Sequence, residues 1–420
     1  MSNYLIKLTP VGKSFFGGDM TFTVGAKERP KDKDWNKLRE EEKAKIKKEI
    51  SDNTRYSSYI IRSEMFPQQT SLLGMLRFLL LRNYKDHVLF DISNNSIKEG
   101  MKGEVEIVIG KSSFTAKEDG SVNDFGLIEK LSPCFLMNGD NIITRLPKDY
   151  GLESIDLSAS NTLSYNDSPI TLKMVLTKEK DNEGKNKQYS AKDGLSVRYG
   201  FVSKDEKGED ILSIYDENEI FVEDQRIGIS RNIVTGKTEE NALYKQINYR
   251  LADDFCFAFY AKLNINKEDI EPYNNKIVQL GADNSQFIIQ IAPLKGEDAN
   301  AENLPKISLP SSNVSVNNGY CKIVLASPTI MDKETAKLTD FAITDTIPFR
   351  YMETTIHCEK YDRLSGKITH SKKVELFQTG SVFYFRSKDN ATEFIKEIEK
   401  HQEFHQIGYN LFQEIKFSNE

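Results

Sequence analysis

An α+β fold is predicted by three features of this 420-residue sequence. The first residues alternate as a strand does, and a stretch in the N-terminal quarter has the spacing of a long helix. Strand signals then recur towards the C-terminus, with one further helix near the end. At roughly 150 residues per domain, the length suits two or three domains. The composition is that of a folded chain with a polar surface: 38% hydrophobic and 29% charged, with 24 Phe, 18 Tyr and a single Trp.

Each element follows from its residues. Tyr4–Thr9 alternates Tyr4, Ile6 and Leu8 against Leu5 and Lys7, which predicts a strand. Val11–Gly25 is a glycine-rich turn region. Gly12-Lys13-Ser14 is not a phosphate loop, because Lys7 stands where that motif needs its first glycine. Gly17-Gly18-Asp19 is followed by Met20 where two-metal chemistry would need a second carboxylate. Asp34–Asp52, within an insertion over 27–55, is charged nearly all round and reads as a solvated helix. Tyr56, Tyr59, Ile60 and Ile61 lead through Arg62 to the stretch Met65–Asn83. There Phe66-Pro67 ends what precedes it, and a helix starts near Gln69 or Thr70, with Thr70 or Ser71 able to cap it. Leu72, Leu73, Leu76, Leu79 and Leu80 give one apolar face. Gly74 costs about 1 kcal/mol against Ala in such a helix, which a close backbone contact would offset. Arg77 points at something polar, although a snorkelling Arg on a core helix would leave the same pattern.

Glu104–Ile109 alternates as a strand, and Glu129–Arg145 holds a strand or hairpin. The order β–(insertion)–α–β–β suits a ferredoxin-like unit over residues 1–215, which ends in an acidic region with a loop at 178–192. Strand signals return at 220–229, 242–263, 276–294, 320–327, 349–358 and 373–385. Helix Ala391–His401 and a last segment, His405–Phe417, follow. Residues 216–420 therefore form a second α+β domain, and two ferredoxin-like domains satisfy the whole pattern.

Net charge is −6 and pI about 5.7, unevenly spread. Residues 27–62 hold twelve Lys/Arg against eight Asp/Glu, whereas 151–220 hold nine against fourteen. A locally basic face on an acidic protein suits RNA held inside a larger assembly. Cys134, Cys256, Cys321 and Cys358 are too scattered for a zinc site or disulfide framework, and read as thiols of a reducing cytoplasm. The opening residues go straight into a strand pattern, with no signal peptide. The apolar run Leu72–Leu81 is too short to span a bilayer.

Two stretches suggest anion or base binding. In FVEDQRIGISRN (221–232) a strand breaks at Gly228, and Lys237 follows soon after. Arg226, Arg231 and Lys237, with the Ser230 hydroxyl and glycine-permitted backbone, can bind phosphate oxygens. An ordinary hairpin with charged flanks would look similar. Near the C-terminus, Ile407-Gly408-Tyr409-Asn410 can offer backbone N–H groups, with Tyr409 stacking on a base. The five His show no telling spacing, and no Ser/His/Asp or zinc-protease pattern is present.

Taken together, these segments resemble the RAMP subunit that caps the 5′ handle of the guide RNA in type III-B (Cmr) CRISPR effector complexes. The resemblance rests on Phe15-Phe16-Gly17, Phe22 and Gly25, on Phe66-Pro67, Thr70, Gly74 and Arg77, and on Glu223, Arg226-Ile227-Gly228-Ile229, Thr235 and Ala242-Leu243-Tyr244. It continues through Val278–Gly281, Leu325–Pro328, Gly380-Ser381-Val382 and Gly408. The pattern departs from the family's at Met20, in a late loop with one glycine, and in the long insertion. The resemblance implies two ferredoxin-like domains, no catalysis, no cofactor and no metal. The implied partners are the repeat-derived 5′ handle of the crRNA, the large polymerase-like subunit, the neighbouring backbone RAMP subunits and, indirectly, target RNA. Candidate RNA contacts are Phe66, Gln69, Thr70, Ser71 and Arg77; Arg226, Gly228, Ser230, Arg231, Lys237 and Tyr244; and Gly408 and Tyr409. The expected site is a cleft with the start of the first helix opposite Arg226–Arg231. Two alternatives stand beside this reading. A RAMP endoribonuclease would carry a His near the first strand or helix, whereas the first His here is His87. A scaffold without RNA contact would not need Arg77, Arg226 and Arg231 near glycine turns.

Overall fold

The computed structural model describes residues 2–17, 20–24, 57–84, 89–91, 96–98, 100–111, 113–150, 152, 154–157, 160–165, 168–173, 175–180, 186–189, 199–204, 211–231, 238–310, 314–353 and 369–417. The expected helix at 34–52, Lys237, His87, Cys358 and most of the 178–192 loop lie outside these residues.

Alternation builds the first strand, β1 (Ser2–Pro10), with Tyr4, Ile6 and Leu8 fully buried. The chain continues through β2 (Met20–Val24) and β3 (Ser57–Arg62) into helix α1 (Gln69–Asn83) and helix α2 (Lys102–Ile109). Strands β4 (Ile128–Leu131), β5 (Phe135–Asn138), β6 (Asn141–Arg145), β7 (Phe201–Lys204) and β8 (Ile211–Tyr215) follow. A two-stranded ribbon, β9 (Phe221–Arg231) and β10 (Thr238–Leu251), precedes β11 (Phe255–Leu263), β12 (Lys276–Gln279) and β13 (Gln286–Pro293). The C-terminal part contains β14 (Cys321–Leu325), α3 (Lys333–Lys337), β15 (Phe341–Ile343), β16 (Val382–Phe385), α4 (Lys388–Glu399), α5 (Gln402–Gln406) and β17 (Phe412–Lys416).

Three sheets organise these strands. The largest has nine, in the order β8-β7-β6-β5-β11-β1-β13-β12, with β4 also pairing to β11. A four-stranded sheet runs β9-β10-β3-β2, and another runs β15-β16-β14-β17 with antiparallel neighbours. The last follows a β-α-β-β-α-β course, with α3 and α4 as its helices. The α+β class is therefore as expected. The boundary at 215/216 is not, because the nine-stranded sheet takes β1 and β4–β8 from one side of it and β11–β13 from the other.

The main core lies between the nine-stranded sheet and α1. Leu72, Leu73, Leu76, Leu79 and Leu80 pack with Tyr4, Ile6, Leu8, Phe257, Phe287 and Ile289. Each such side chain contributes about 1.5–3 kcal/mol by leaving water, so this helix face is held chiefly by tertiary burial. The opposite sheet face carries a smaller cluster of Phe135, Met137, Ala258, Tyr260 and Leu304.

Four local expectations are corrected. Glu104–Ile109 lies in helix α2, whose Val105, Val108 and Ile109 are buried while Ile107 is exposed. So short an apolar run fits both periods, and packing against α1 decides for the helix. The helix stops at Gly110, where φ is +72° and a Cβ would overlap the Asp124 carbonyl. The stretch 242–263 is two strands in different sheets, divided by a turn with Asp254 at φ 69°. Gly74 makes no close contact, since nothing lies within 4 Å of where its Cβ would be. Neither Thr70 nor Ser71 caps α1, whose N-cap is Gln68.

Candidate functional site

A cleft of about 520 Å³ opens where β3 ends and α1 begins. Its walls come from Arg62–Gln69, from Thr144 and Arg145 at the end of β6, and from Asp345, Ile347 and Pro348 with Gln378 and Thr379 in the C-terminal part. Phe66 and Gln69 both line the cleft from the segment between β3 and α1 that contains Pro67.

Cations at this cleft are paired with carboxylates. The Arg145 guanidinium bonds Glu217 at 2.9 Å and lies over two neighbouring rings, 5.2 Å from the Phe66 centroid and 5.0 Å from that of Phe201. Lys148 sits 3.6 Å from Asp345 and 4.7 Å over the Tyr199 ring, and burial pulls its ammonium below the usual lysine value. Arg62 donates to Glu223 at 2.7 Å and to Tyr249 Oη at 3.0 Å. Burial works against the charge of Arg62, but these two partners more than offset it and raise its pKa.

The first turn of α1 is already satisfied. The Gln69 N–H donates to Tyr409 Oη at 3.1 Å, and the Ser71 and Leu72 N–H groups donate to the Gln68 carbonyl. Gln69 Nε2 donates to the Ser132 carbonyl at 2.7 Å. Gly408, at φ +87°, lies so close to Ser132 and Gln69 that a Cβ would overlap both. Among the described residues, two buried atoms of the lining residues find no hydrogen-bond partner, Gln69 Oε1 and Thr144 Oγ1, on residues that are 3% and 5% exposed.

The sequence candidates therefore fall in separate places. Phe66 and Gln69 line the cleft, whereas Thr70 is half-buried and Ser71 exposed on the outer side of α1. Arg77 is half-buried, within electrostatic reach of Asp124, and its Nε finds no partner among the described residues. Burial lowers its guanidinium to about 10, against the pull of Asp124. The late loop does not offer N–H groups to a ligand, because those of Gly408, Tyr409 and Asn410 bond the carbonyls of His405, Phe404 and Pro328. Tyr409 is 2% exposed and cannot stack on a base; burial also raises its phenol.

The ribbon is elsewhere. β9 runs unbroken through Gly228 to Arg231, with Arg226 exposed opposite Gln246 and Gly228 opposite Tyr244. The Tyr244 ring lies over Gly228, occupying the space of its missing Cβ. Gly228 thus serves a cross-strand contact and not a turn. Strand alternation puts Arg226, Gly228 and Tyr244 on one face, and Glu223, Tyr249 and the neighbouring Arg62 on the other. The start of α1 is therefore not opposite Arg226, and only the Arg62 face meets the cleft. The backbones of Ser230 and Arg231 continue β9.

Sequence reasoning missed Arg62, Thr144, Arg145 and Lys148. Their only signal was a basic residue ending a strand run, as at Arg62 and Arg145, which is too common to select them.

A model of one protein family, described as CRISPR-associated protein (Cas_Cmr3), matches residues 56–416. No curated protein matches the sequence. Among solved structures, the chain is similar to one in the cryo-EM structure of the Type III-B Cmr-beta bound to cognate target RNA, at 13% identity and TM-score 0.45, over 98% of this chain and 96% of that one. It is similar at 12% identity and TM-score 0.30 to a chain in the crystal structure of the Csm3-Csm4 subcomplex of the type III-A CRISPR-Cas interference complex, over 91% and 92%. At such scores the family match, and not these likenesses, carries the assignment.

Proposed function

Because the chain belongs to the Cas_Cmr3 family of CRISPR-associated proteins and is a Cmr subunit, we propose that it holds the 5′ handle of the guide RNA in a type III-B effector complex. The observation that carries this reading is the cleft at Phe66–Gln69, lined by an aromatic ring, the cations Arg62 and Arg145, and the polar side chains of Gln69 and Thr144. Single-stranded RNA is held by such a mixture of stacking surface, charge and hydrogen-bonding groups. Arg226 and Tyr244 form a second contact surface on the far face of the ribbon, for RNA further along the strand. The β-α-β-β-α-β course of the C-terminal sheet supports reading that part as ferredoxin-like. The large polymerase-like subunit and the next backbone RAMP subunit are the proposed protein partners.

The role is binding without catalysis. Supporting this, neither His401 nor His405 lines the cleft, and burial lowers the His405 imidazole to about 4, leaving it neutral at physiological pH. Nuclease footprinting of the handle in reconstituted complexes tests the proposal. Arg145→Glu should expose the handle and flatten the salt dependence of retention, by about 0.7 in log–log slope for each lost phosphate contact. Handle protection unchanged in both Arg145→Glu and Arg226→Glu would overturn it. Cleavage of precursor RNA by the purified chain, abolished by changing a His, would favour the endoribonuclease.

A further inference from the structure

We propose that Tyr199 is the platform on which one unstacked base of the guide RNA stacks in the cleft. This rests on the RNA-binding reading above and adds the side chain that receives the base.

A comparison of the five rings lining the cleft carries it. Phe135 and Tyr249 are each 3% exposed and Tyr409 2%, so these rings belong to the core. Phe66 is half-buried, with the rings of Phe201, Phe221 and Phe257 between 5.6 and 5.9 Å away and the Arg145 guanidinium over it. Tyr199 alone of the five is exposed, at 49%. Half of a large ring left in water forgoes hydrophobic stabilisation that a stacked base would supply.

The Tyr199 ring is also positioned in advance. The buried Lys148 ammonium lies over it, 4.7 Å from its centroid. Lys148 is itself fixed, its N–H donating to the Gly380 carbonyl at 2.8 Å and its Nζ to Gln378 Oε1 at 3.3 Å. Next along the chain, the Gly200 carbonyl accepts from the Leu146 N–H, and a Cβ on Gly200, at φ +145°, would overlap the Tyr215 carbonyl. Ordering such a side chain on binding costs little entropy. Charge then selects the ligand. Burial raises the Tyr199 phenol, and the Asp345 and Glu217 carboxylates add to this, so both act on the ring. Asp345 is paired with Lys148, and Glu217 with Arg145. Neither a phosphate nor a further cation therefore meets an unbalanced charge beside Tyr199, whereas a flat neutral base does not need one. The cavity, about 520 Å³, is of the size that takes small organic groups, about 300–1,000 Å³.

The test is an abasic scan in reconstituted complexes. Guide RNAs that each lack one base of the handle are bound to complexes built with wild-type, Tyr199→Phe, Tyr199→Leu and Tyr199→Ala chains, and each chain is melted. In the wild type, one abasic position should weaken retention about tenfold, the size of one base–aromatic stack. Tyr199→Ala and Tyr199→Leu should weaken the intact RNA by a similar factor and abolish the penalty at that position, because base and ring are two halves of one contact. Tyr199→Phe should behave as wild type. Melting should stay close to wild type, since this ring, unlike the other four, is exposed; Tyr199→Leu keeps apolar bulk against Lys148 and decides if the Ala variant melts low. An abasic penalty that is the same in wild type and Tyr199→Leu at every position overturns the platform. So does a Tyr199→Phe chain as weak as Tyr199→Leu, which would assign the contact to the hydroxyl. Loss of a protein subunit with handle RNA still held overturns it in favour of a protein contact. A wild-type complex that retains no handle RNA overturns the underlying RNA reading instead.

Discussion

The cleft and the ribbon hold the same kinds of residue, glycine, tyrosine and arginine, and use them in opposite ways. At the cleft, Gln69 and Tyr409 are hydrogen-bonded to each other across 340 positions of sequence with Gly408 packed against Gln69, and the Gln69 N–H groups are consumed by the fold. On the ribbon, Gly228 and Tyr244 meet by strand register, Arg226 is left exposed, and Ile227 is 70% exposed. Residue type alone therefore does not distinguish a support from a contact. What distinguishes them is whether the side chain's partners lie within the chain. Cleft substitutions should register first in stability, and ribbon substitutions first in binding.

The sharpest break of that contrast is Gly408→Ala. A Cβ there meets Ser132 and Gln69, and the backbone is left-handed. A loss of about 3 kcal/mol is expected by thermal or denaturant melting. A wild-type melt would mean that the late loop is not a support. Tyr409→Phe comes next. It removes the acceptor of the Gln69 N–H in a buried place, so about 2 kcal/mol should go, with the RNA footprint shifting only in step with the melt.

A pH series sharpens the same side. Burial, with Lys130 and His401 adding like charge against a hydrogen bond to Ile398, lowers His405 to about 4 from an ordinary 6.5. Between those values the unfolded chain binds the extra proton, so stability rises with pH there. The contribution is full above pH 6.5 and is lost as pH falls towards 4. Its size is on the order of 1 kcal/mol, as the side chain is only partly buried. Melts at pH 7 and pH 4.5 check it, and His405→Gln should flatten that part of the curve. The smallest effect belongs to the ribbon. Gly228→Val pushes on the far end of the Tyr244 side chain, which can swing away, so under about 1 kcal/mol is expected. Arg226→Glu, on an exposed site, should melt within about 0.5 kcal/mol of wild type. A large loss in either would mean that the ribbon supports the fold as the cleft does.

Sequence by itself determined the α+β class, β1, α1 with its buried leucine face, the strand-rich second half, and the segments that resemble the family whose model matches residues 56–416. These are local or periodic properties, and period 2 in Tyr4–Leu8 and period 3.6 in Leu72–Leu80 can be read along the chain. Only the tertiary structure decided the helical state of 104–109, where five residues fit either period until α1 supplied a surface. It alone united strands from both sides of residue 215 in one sheet, because sheet order is fixed by non-local pairing. It also turned Tyr409 inwards to meet Gln69 and put Arg226 on the face away from Arg62. Gathering Arg145, Thr144 and Gln69 around one cavity was its work as well. Burial and hydrogen-bond partners belong to contacts between distant segments, and a one-dimensional pattern does not contain them.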